Sequence, residues 1–152
     1  MYLATSQDGG KTFAAAQKLG LGTWPLKACP MDGGALAVSP KTGVTTFWRR
    51  ENTLFLADAS GANQPEKSVG PGQQGTIAKT DRGTYLAWLR GRRPGTLMVS
   101  LPDSPDAPMA LAEKANNPVL AAGAGVDSPV VLVWSDEQGV RSATLATGPK
   151  PK

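Results

Sequence analysis

The chain has 152 residues, which corresponds to one domain of ordinary size or one part of a larger domain. Its 18 glycines and 13 prolines exclude a helix bundle, because both residues break helices. Only 18 % of residues are charged and 40 % are apolar, which does not favour disorder. The composition therefore predicts an all-β domain of short strands joined by tight turns.

Histidine is absent, and cysteine occurs once, as Cys29. Without histidine, the Ser-His-Asp and Cys-His nucleophile systems and the histidine zinc sites are excluded. A single cysteine cannot form an internal disulfide. Cys29 and Met31 are soft ligands that suit Cu(I), but two sulfur ligands without histidine make a poor site. We therefore predict no metal and no other cofactor.

The formal net charge of +4 makes the chain mildly basic. No apolar run approaches the roughly 20 residues that cross a bilayer, so we expect no membrane span. The N-terminus also lacks the pattern of a signal peptide. Nucleic acid is not an expected partner, because the few aromatic residues fall in predicted strands and form no stacking platform.

The first predicted element is a hairpin whose turn reads Ser-Gln-Asp-Gly-Gly-Lys-Thr-Phe over residues 6–13. Asp8 can accept hydrogen bonds from turn amides, and the two following glycines permit positive φ. We expect strands over residues 1–6 and 12–19. Phe13 is expected to pack between sheets.

This turn resembles the Asp-box, the bacterial neuraminidase repeat of sialidase-like β-propellers. It matches the pattern S-x-D-x-G-x-T-[WF] at every fixed position. The matching residues are Ser6, Asp8, Gly10, Thr12 and Phe13. The resemblance implies that Asp8 is structural and lies on the end of the propeller opposite the ligand site. It also implies an exported or periplasmic protein.

Residues 22–34 form the next segment, an unusual link between predicted strands. It contains Trp24, which could serve as a rim aromatic for a sugar or a partner, and the cation Lys27. The favoured interpretation is a packed loop that crosses the central axis of the fold.

Tryptophan then marks a repeat. Trp48, Trp88 and Trp134 each close a segment of alternating β-type residues, at spacings of 40 and 46. A polar turn and a second strand follow each, which predicts a hairpin used three times. One further short strand precedes each hairpin, and a fourth follows the first two. Four antiparallel strands in about 40–45 residues are typical of a propeller blade. An ordinary sandwich with accidental tryptophan spacing is the alternative.

We therefore predict an all-β fold of the β-propeller type, built from four-stranded antiparallel blades, with about three blades per chain. The boundaries are a domain over 1–147, with a partial blade 1–20, blades 28–70 and 75–114 and a partial blade 117–147, and a disordered tail 148–152. Closed propellers have about four to eight blades. The chain is thus expected to be a fragment, or a half-propeller that a second copy closes into a six-bladed homodimer, six being the number in sialidases.

Positive charge is concentrated in the turns after the tryptophans. Blade topology puts these turns and the links between blades on one end. The candidate ligand residues there are Arg49, Arg50, Arg90, Arg92, Arg93, Lys27 and Trp24. Arginine forks suit carboxylate, sulfate or phosphate, so an anionic carbohydrate or another acidic partner is the expected ligand. The alternative is that these basic residues are ordinary loop charges that contact only water.

Sialidases use an arginine triad, a Tyr–Glu nucleophile pair and an aspartate acid/base. The Arg-Ile-Pro type of motif that carries the first arginine is absent here. The only tyrosines, Tyr2 and Tyr85, lie in predicted strands without the setting of a nucleophile. We predict no catalytic residues and a non-enzymatic binding scaffold. A diverged or incomplete exo-sialidase or other glycoside hydrolase is the alternative, and a purely structural repeat segment is a third possibility.

Overall fold

The structure is a computed structural model that describes residues 1–26, 32–59, 64–123 and 128–145. Within these ranges the regular structure is all β, which confirms the all-β part of the predicted fold class. The strands are β1 (Tyr2–Leu3), β2 (Gln17–Lys18), β3 (Ala35–Ser39), β4 (Gly43–Arg50), β5 (Thr53–Asp58), β6 (Lys67–Pro71), β7 (Gln73–Thr80), β8 (Gly83–Arg90), β9 (Gly95–Ser100), β10 (Met109–Ala122), β11 (Val130–Asp136) and β12 (Gly139–Leu145). Nowhere in the described part does a helix have the length and apolar character to cross a membrane.

Three antiparallel sheets are built from these strands, and each strand pairs with its neighbours in the chain. β1 and β2 form a two-stranded ladder, and β3–β6 form a four-stranded meander. β7–β12 form a six-stranded sheet that curls, so that β10 also contacts β7 and β8. The hairpins β4–β5, β8–β9 and β11–β12 confirm the three hairpins predicted after the tryptophans.

The curl of the large sheet is located in β10. The first half of this strand pairs with β9 and the second half with β11. Lys114 and Asn117 flank the junction between the two halves and have positive φ angles of 53° and 51°. The chain therefore divides into three units: β3–β6 is the first, β7–β9 with the start of β10 is the second, and the end of β10 with β11 and β12 is the third.

The units stack face to face, because each central strand carries apolar side chains on both sides. In β4, Phe47 and Trp48 are both buried but belong to different hydrophobic clusters. In β8, Trp88 faces the first unit, whereas Tyr85 and Leu89 face the third. Successive residues of one central strand therefore point to opposite sides of the sheet and pack against different parts of the chain.

The three repeated tryptophans share one orientation. Trp48 packs in the cluster that includes Leu19 of the N-terminal hairpin, Trp88 packs against the first unit, and Trp134 packs against the second. Each tryptophan therefore faces the part of the chain that precedes its unit. We call this side of a unit its tryptophan face and the other side its opposite face.

The N-terminal hairpin is shorter than predicted. Only Tyr2–Leu3 and Gln17–Lys18 form a ladder within the expected strands 1–6 and 12–19. The prediction that Phe13 packs between sheets is wrong, since its side chain is 64 % exposed. Phe13 follows the turn directly and lies beyond the short ladder that contacts the first unit. The start of the predicted blade 28–70, the end of the domain and the tail 148–152 lie outside the described residues.

Candidate anion-binding end

The turns after the tryptophans and the links between units lie at the same end of the sheets. The amide of Gly72, in the link between β6 and β7, donates a hydrogen bond to the carbonyl of Asn52 in the β4–β5 turn at 2.9 Å. The side-chain amide of Gln73 donates to the carbonyl of Gly91 in the β8–β9 loop at 2.7 Å. Hydrogen bonds therefore join the turns after the tryptophans to the start of the following unit at this end.

A ladder of side chains connects successive units at this end. The backbone amide of Gln74 donates to the Asp32 carboxylate at 2.9 Å, and the backbone amide of Asn117 donates to Oε1 of Gln74 at 3.1 Å. Gln74 and Asn117 both have a φ of 51°. Sequence reasoning missed this ladder. Its signal is a polar side chain recurring at spacings of 42 and 43, but three different residue types occupy the position.

Arg49, like Arg50, lies at the end of β4 and not in the turn where the sequence predicts it, because the turn is only Glu51–Asn52. Its Nη2 is 2.7 Å from Oδ1 of Asp32, whose side chain is almost fully buried. The guanidinium carbon is 5.6 Å from the centre of the Trp24 ring. The Arg49 charge is therefore balanced within the protein.

Arg50, on the other side of β4, is held more tightly. Its two terminal nitrogens donate to the two carboxylate oxygens of Glu66 at 2.9 and 2.6 Å. Its guanidinium carbon lies 3.8 Å from the Phe55 ring centre. The hydrogen bonds from Arg50 lower the pKa of Glu66 against the opposing effect of burial, and backbone amides of Gly22 and Leu21 lower it further. This pair fixes the link 20–26 to the first unit.

A cleft of about 260 Å³ opens between this link and the first unit. Its polar and aromatic lining includes Tyr2, Lys18, Trp24, Asp32, Arg49 and Arg50. Lys18 is oriented by hydrogen bonds from Nζ to the carbonyl of Leu21 at 3.3 Å and to Oγ1 of Thr23 at 3.1 Å. Trp24 is half-buried in the wall of this cleft. The structure thus brings Trp24, Arg49 and Arg50 together.

Arg90, Arg92 and Arg93 lie apart from the cleft, at the end of β8 and in the loop that follows it. All three side chains are exposed. Within the described ranges none of them forms an ion pair, unlike Arg49 and Arg50. Lys27, Cys29 and Met31 fall outside the described residues, so their predicted roles stay predictions.

The turn over residues 6–13, which resembles the Asp-box, is closed by hydrogen bonds between its own polar groups. The Ser6 hydroxyl donates to Oδ1 of Asp8 at 2.8 Å and accepts from the amide of Gly10 at 2.8 Å. The amide and hydroxyl of Thr12 donate to the two Asp8 oxygens at 2.9 and 2.7 Å. These donors, led by Thr12, lower the pKa of Asp8 to about 2.

The turn over residues 6–13 lies away from the basic end. Met1 and Lys18, at the open end of the hairpin, line the cleft with Arg49, and the chain runs from there to the turn. Among the described residues no group of three or more Cys, Asp or Glu side chains is arranged to hold a metal ion. Tyr85 is fully buried in the interface between the second and third units, where no substrate can reach it.

Searches against protein-family models, curated proteins and solved structures found no match to this chain. The resemblance to the Asp-box family therefore rests on residues 6–13 and on the tryptophan repeat.

Proposed function

We propose that this protein is a non-enzymatic binding scaffold of the sialidase-like β-propeller type, exported from the cell, whose basic end binds an anionic ligand such as an acidic carbohydrate. The observation that carries the proposal is the cluster of Arg90, Arg92 and Arg93. Three exposed guanidinium groups within four residues, without carboxylate partners in the described part of the chain, attract anions and can form paired hydrogen bonds with carboxylate or sulfate.

The propeller type is supported by the way the units stack. β7 contacts β3, and β10 contacts β7, so the first strands of successive units lie side by side. The Asp32–Gln74–Asn117 ladder repeats along the same edge. Four-stranded meanders whose first strands gather at one axis are the arrangement of propeller blades.

The contrast between the two arginine groups favours one location for the ligand. Arg49 and Arg50 are paired with Asp32 and Glu66, so a ligand would have to displace a carboxylate to use them. The cluster of Arg90, Arg92 and Arg93 requires no such exchange. We therefore assign the principal anion contacts to the β8–β9 loop, with Trp24 and Lys18 in the separate cleft of the first unit as secondary contacts.

The test compares two triple variants that remove the same charge from opposite ends. R90A/R92A/R93A should weaken binding of a sulfated heparin oligosaccharide by about tenfold or more at low salt, because charge-assisted hydrogen bonds are lost. K11A/K41A/K67A removes three exposed lysines from the Asp-box end and should change binding by less than about threefold, because these lysines are distant from the loop. Isothermal titration calorimetry measures both.

Equal losses in the two variants would mean that the oligosaccharide responds only to net charge, and would overturn the assignment to the β8–β9 loop. Turnover of a fluorogenic sialoside by the unmodified chain would instead support the glycoside hydrolase alternative.

A further inference from the structure

Three leucine or isoleucine side chains occupy one repeated position. Leu36, Ile77 and Leu120 each lie on the first strand of their unit, paired with the residue two places before the unit's tryptophan. Each therefore lies on the tryptophan face. Ile77 and Leu120 are buried, at 6 % and 7 % exposure, because the preceding unit covers them. Leu36 is 55 % exposed.

The N-terminal hairpin covers only part of the tryptophan face of the first unit. It covers the tryptophan face of the first unit at Trp48 and Ala57, on β4 and β5. It leaves β3 uncovered, where Leu36 and its neighbour Val38 are both exposed. The first unit therefore presents two exposed apolar side chains, and one of them, Leu36, occupies a position that the other two units bury.

The opposite face of the third unit also carries apolar side chains that no other part of the described chain covers. In the first two units the residues just before tryptophan, Phe47 and Ala87, are fully buried against the following unit. The equivalent Val133 is only half-buried, and Val119, its partner across the ladder, is 58 % exposed. The uncovered apolar residues of this face are Val119, Val131, Val133 and Val140.

We infer that the third unit of one copy packs its opposite face onto the tryptophan face of the first unit of a second copy. The same contact occurs twice inside the chain, where the opposite face of one unit covers the tryptophan face of the next. The part of the first unit's tryptophan face that the hairpin leaves uncovered, along β3, and the opposite face of the third unit correspond to the two sides of that contact. Water-exposed apolar patches of this kind mark protein interfaces.

A contact between two different faces becomes saturated only in a closed ring. In a two-copy ring each copy uses both faces, so the contact is made twice and no face remains uncovered. The contact leaves the β8–β9 loop accessible, because that loop lies at the end of the sheets and not on a face. Anion binding and self-association are therefore separable.

The first measurement is solution mass by sedimentation equilibrium over a wide range of concentration. A closed pair has twice the chain mass of 15.7 kDa. Leu36→Glu and Val119→Lys should each weaken association by at least about tenfold, because a charge would be buried without a partner. Met109→Glu, at an exposed apolar residue outside both faces, should leave association unchanged. Near-ultraviolet circular dichroism of the tryptophans verifies folding.

Mixing the two weakened variants is the decisive step. In a mixed pair, Glu at position 36 of one copy meets Lys at position 119 of the other, and the second contact keeps its original side chains. The mixture should therefore recover the double mass that neither variant shows alone. A chain that stays at 15.7 kDa at every concentration would overturn the inference. So would a pair that Leu36→Glu leaves intact, because that pair would join two third units to each other.

Discussion

The stacked units and the N-terminal hairpin are both antiparallel β structure, but different interactions hold them. In the units, strands of up to 14 residues bury apolar side chains such as Leu89, Leu97 and Tyr85. In the hairpin, the ladder has two residues per strand, and the order of the turn comes from the polar groups around Asp8. Strands are long where their side chains are buried between sheets, whereas the hydrogen bonds of a polar turn order only the residues of that turn.

The largest expected effect is that of Leu97→Ala on the free energy of unfolding. Leu97 is fully buried in the interface between the second and third units. Its truncation should reduce the free energy of unfolding by about 3 kcal/mol, because a cavity remains in a packed core. Urea denaturation followed by tryptophan fluorescence measures this. Leu111→Ala, at an exposed leucine of the same sheet, is the control and should cost less than about 0.5 kcal/mol. Equal costs would mean that this interface does not stabilise the fold.

An intermediate effect is expected where the two regions are joined. Arg50→Met leaves the largely buried Glu66 carboxylate without its paired donors. The free energy of unfolding should fall by about 2 kcal/mol, because an unpaired charge is costly in a half-buried site. The control Lys67→Met breaks the exposed Lys67–Asp106 pair and should cost less than about 0.5 kcal/mol. If Arg50→Met costs no more than the control, the pair does not hold the link in place.

The smallest effect belongs to the hairpin and depends on pH. The pKa of Asp8 is lowered to about 2 by its turn donors, below the roughly 3.9 of a free aspartate. The hydrogen bonds to its carboxylate therefore stabilise the turn fully above about pH 4, and this stabilisation is lost as the pH falls toward 2. The amide resonances of Gly10 and Thr12 should titrate with a midpoint near 2, and Asp8→Asn should abolish that titration. A midpoint near 3.9 would mean that the turn network does not form in solution.

Much of the fold could be predicted from the sequence, because its signals are local. Alternating apolar residues ending in Trp48, Trp88 and Trp134 place the strands, and the polar pairs after them place the turns. The length of the N-terminal strands could not be predicted in this way. Residues 1–6 and 12–19 have β-type composition, but their pairing depends on how much of another sheet covers them.

The candidate site could be predicted only in part. The sequence indicates which end carries Arg49 and Arg50, and the structure places both there. It does not indicate that both are neutralised, since Asp32 and Glu66 are 17 and 16 residues away and reach them only once the segments before β3 and β6 have folded against the first unit. The cluster at Arg90, Arg92 and Arg93 was predictable because its exposure follows from a polar loop between two strands.

The order of the strands in the sheets has a consequence for how the chain reaches its native state. Every strand pairs with its nearest neighbours in sequence, from β3 to β6 and from β7 to β12. Loop closure before each pairing therefore involves short stretches of chain, which carry a small entropic cost. Folding of all-β proteins is usually slow because distant strands must meet first. Here hairpins can form early and then dock as units, with β10 propagating order from the second unit to the third.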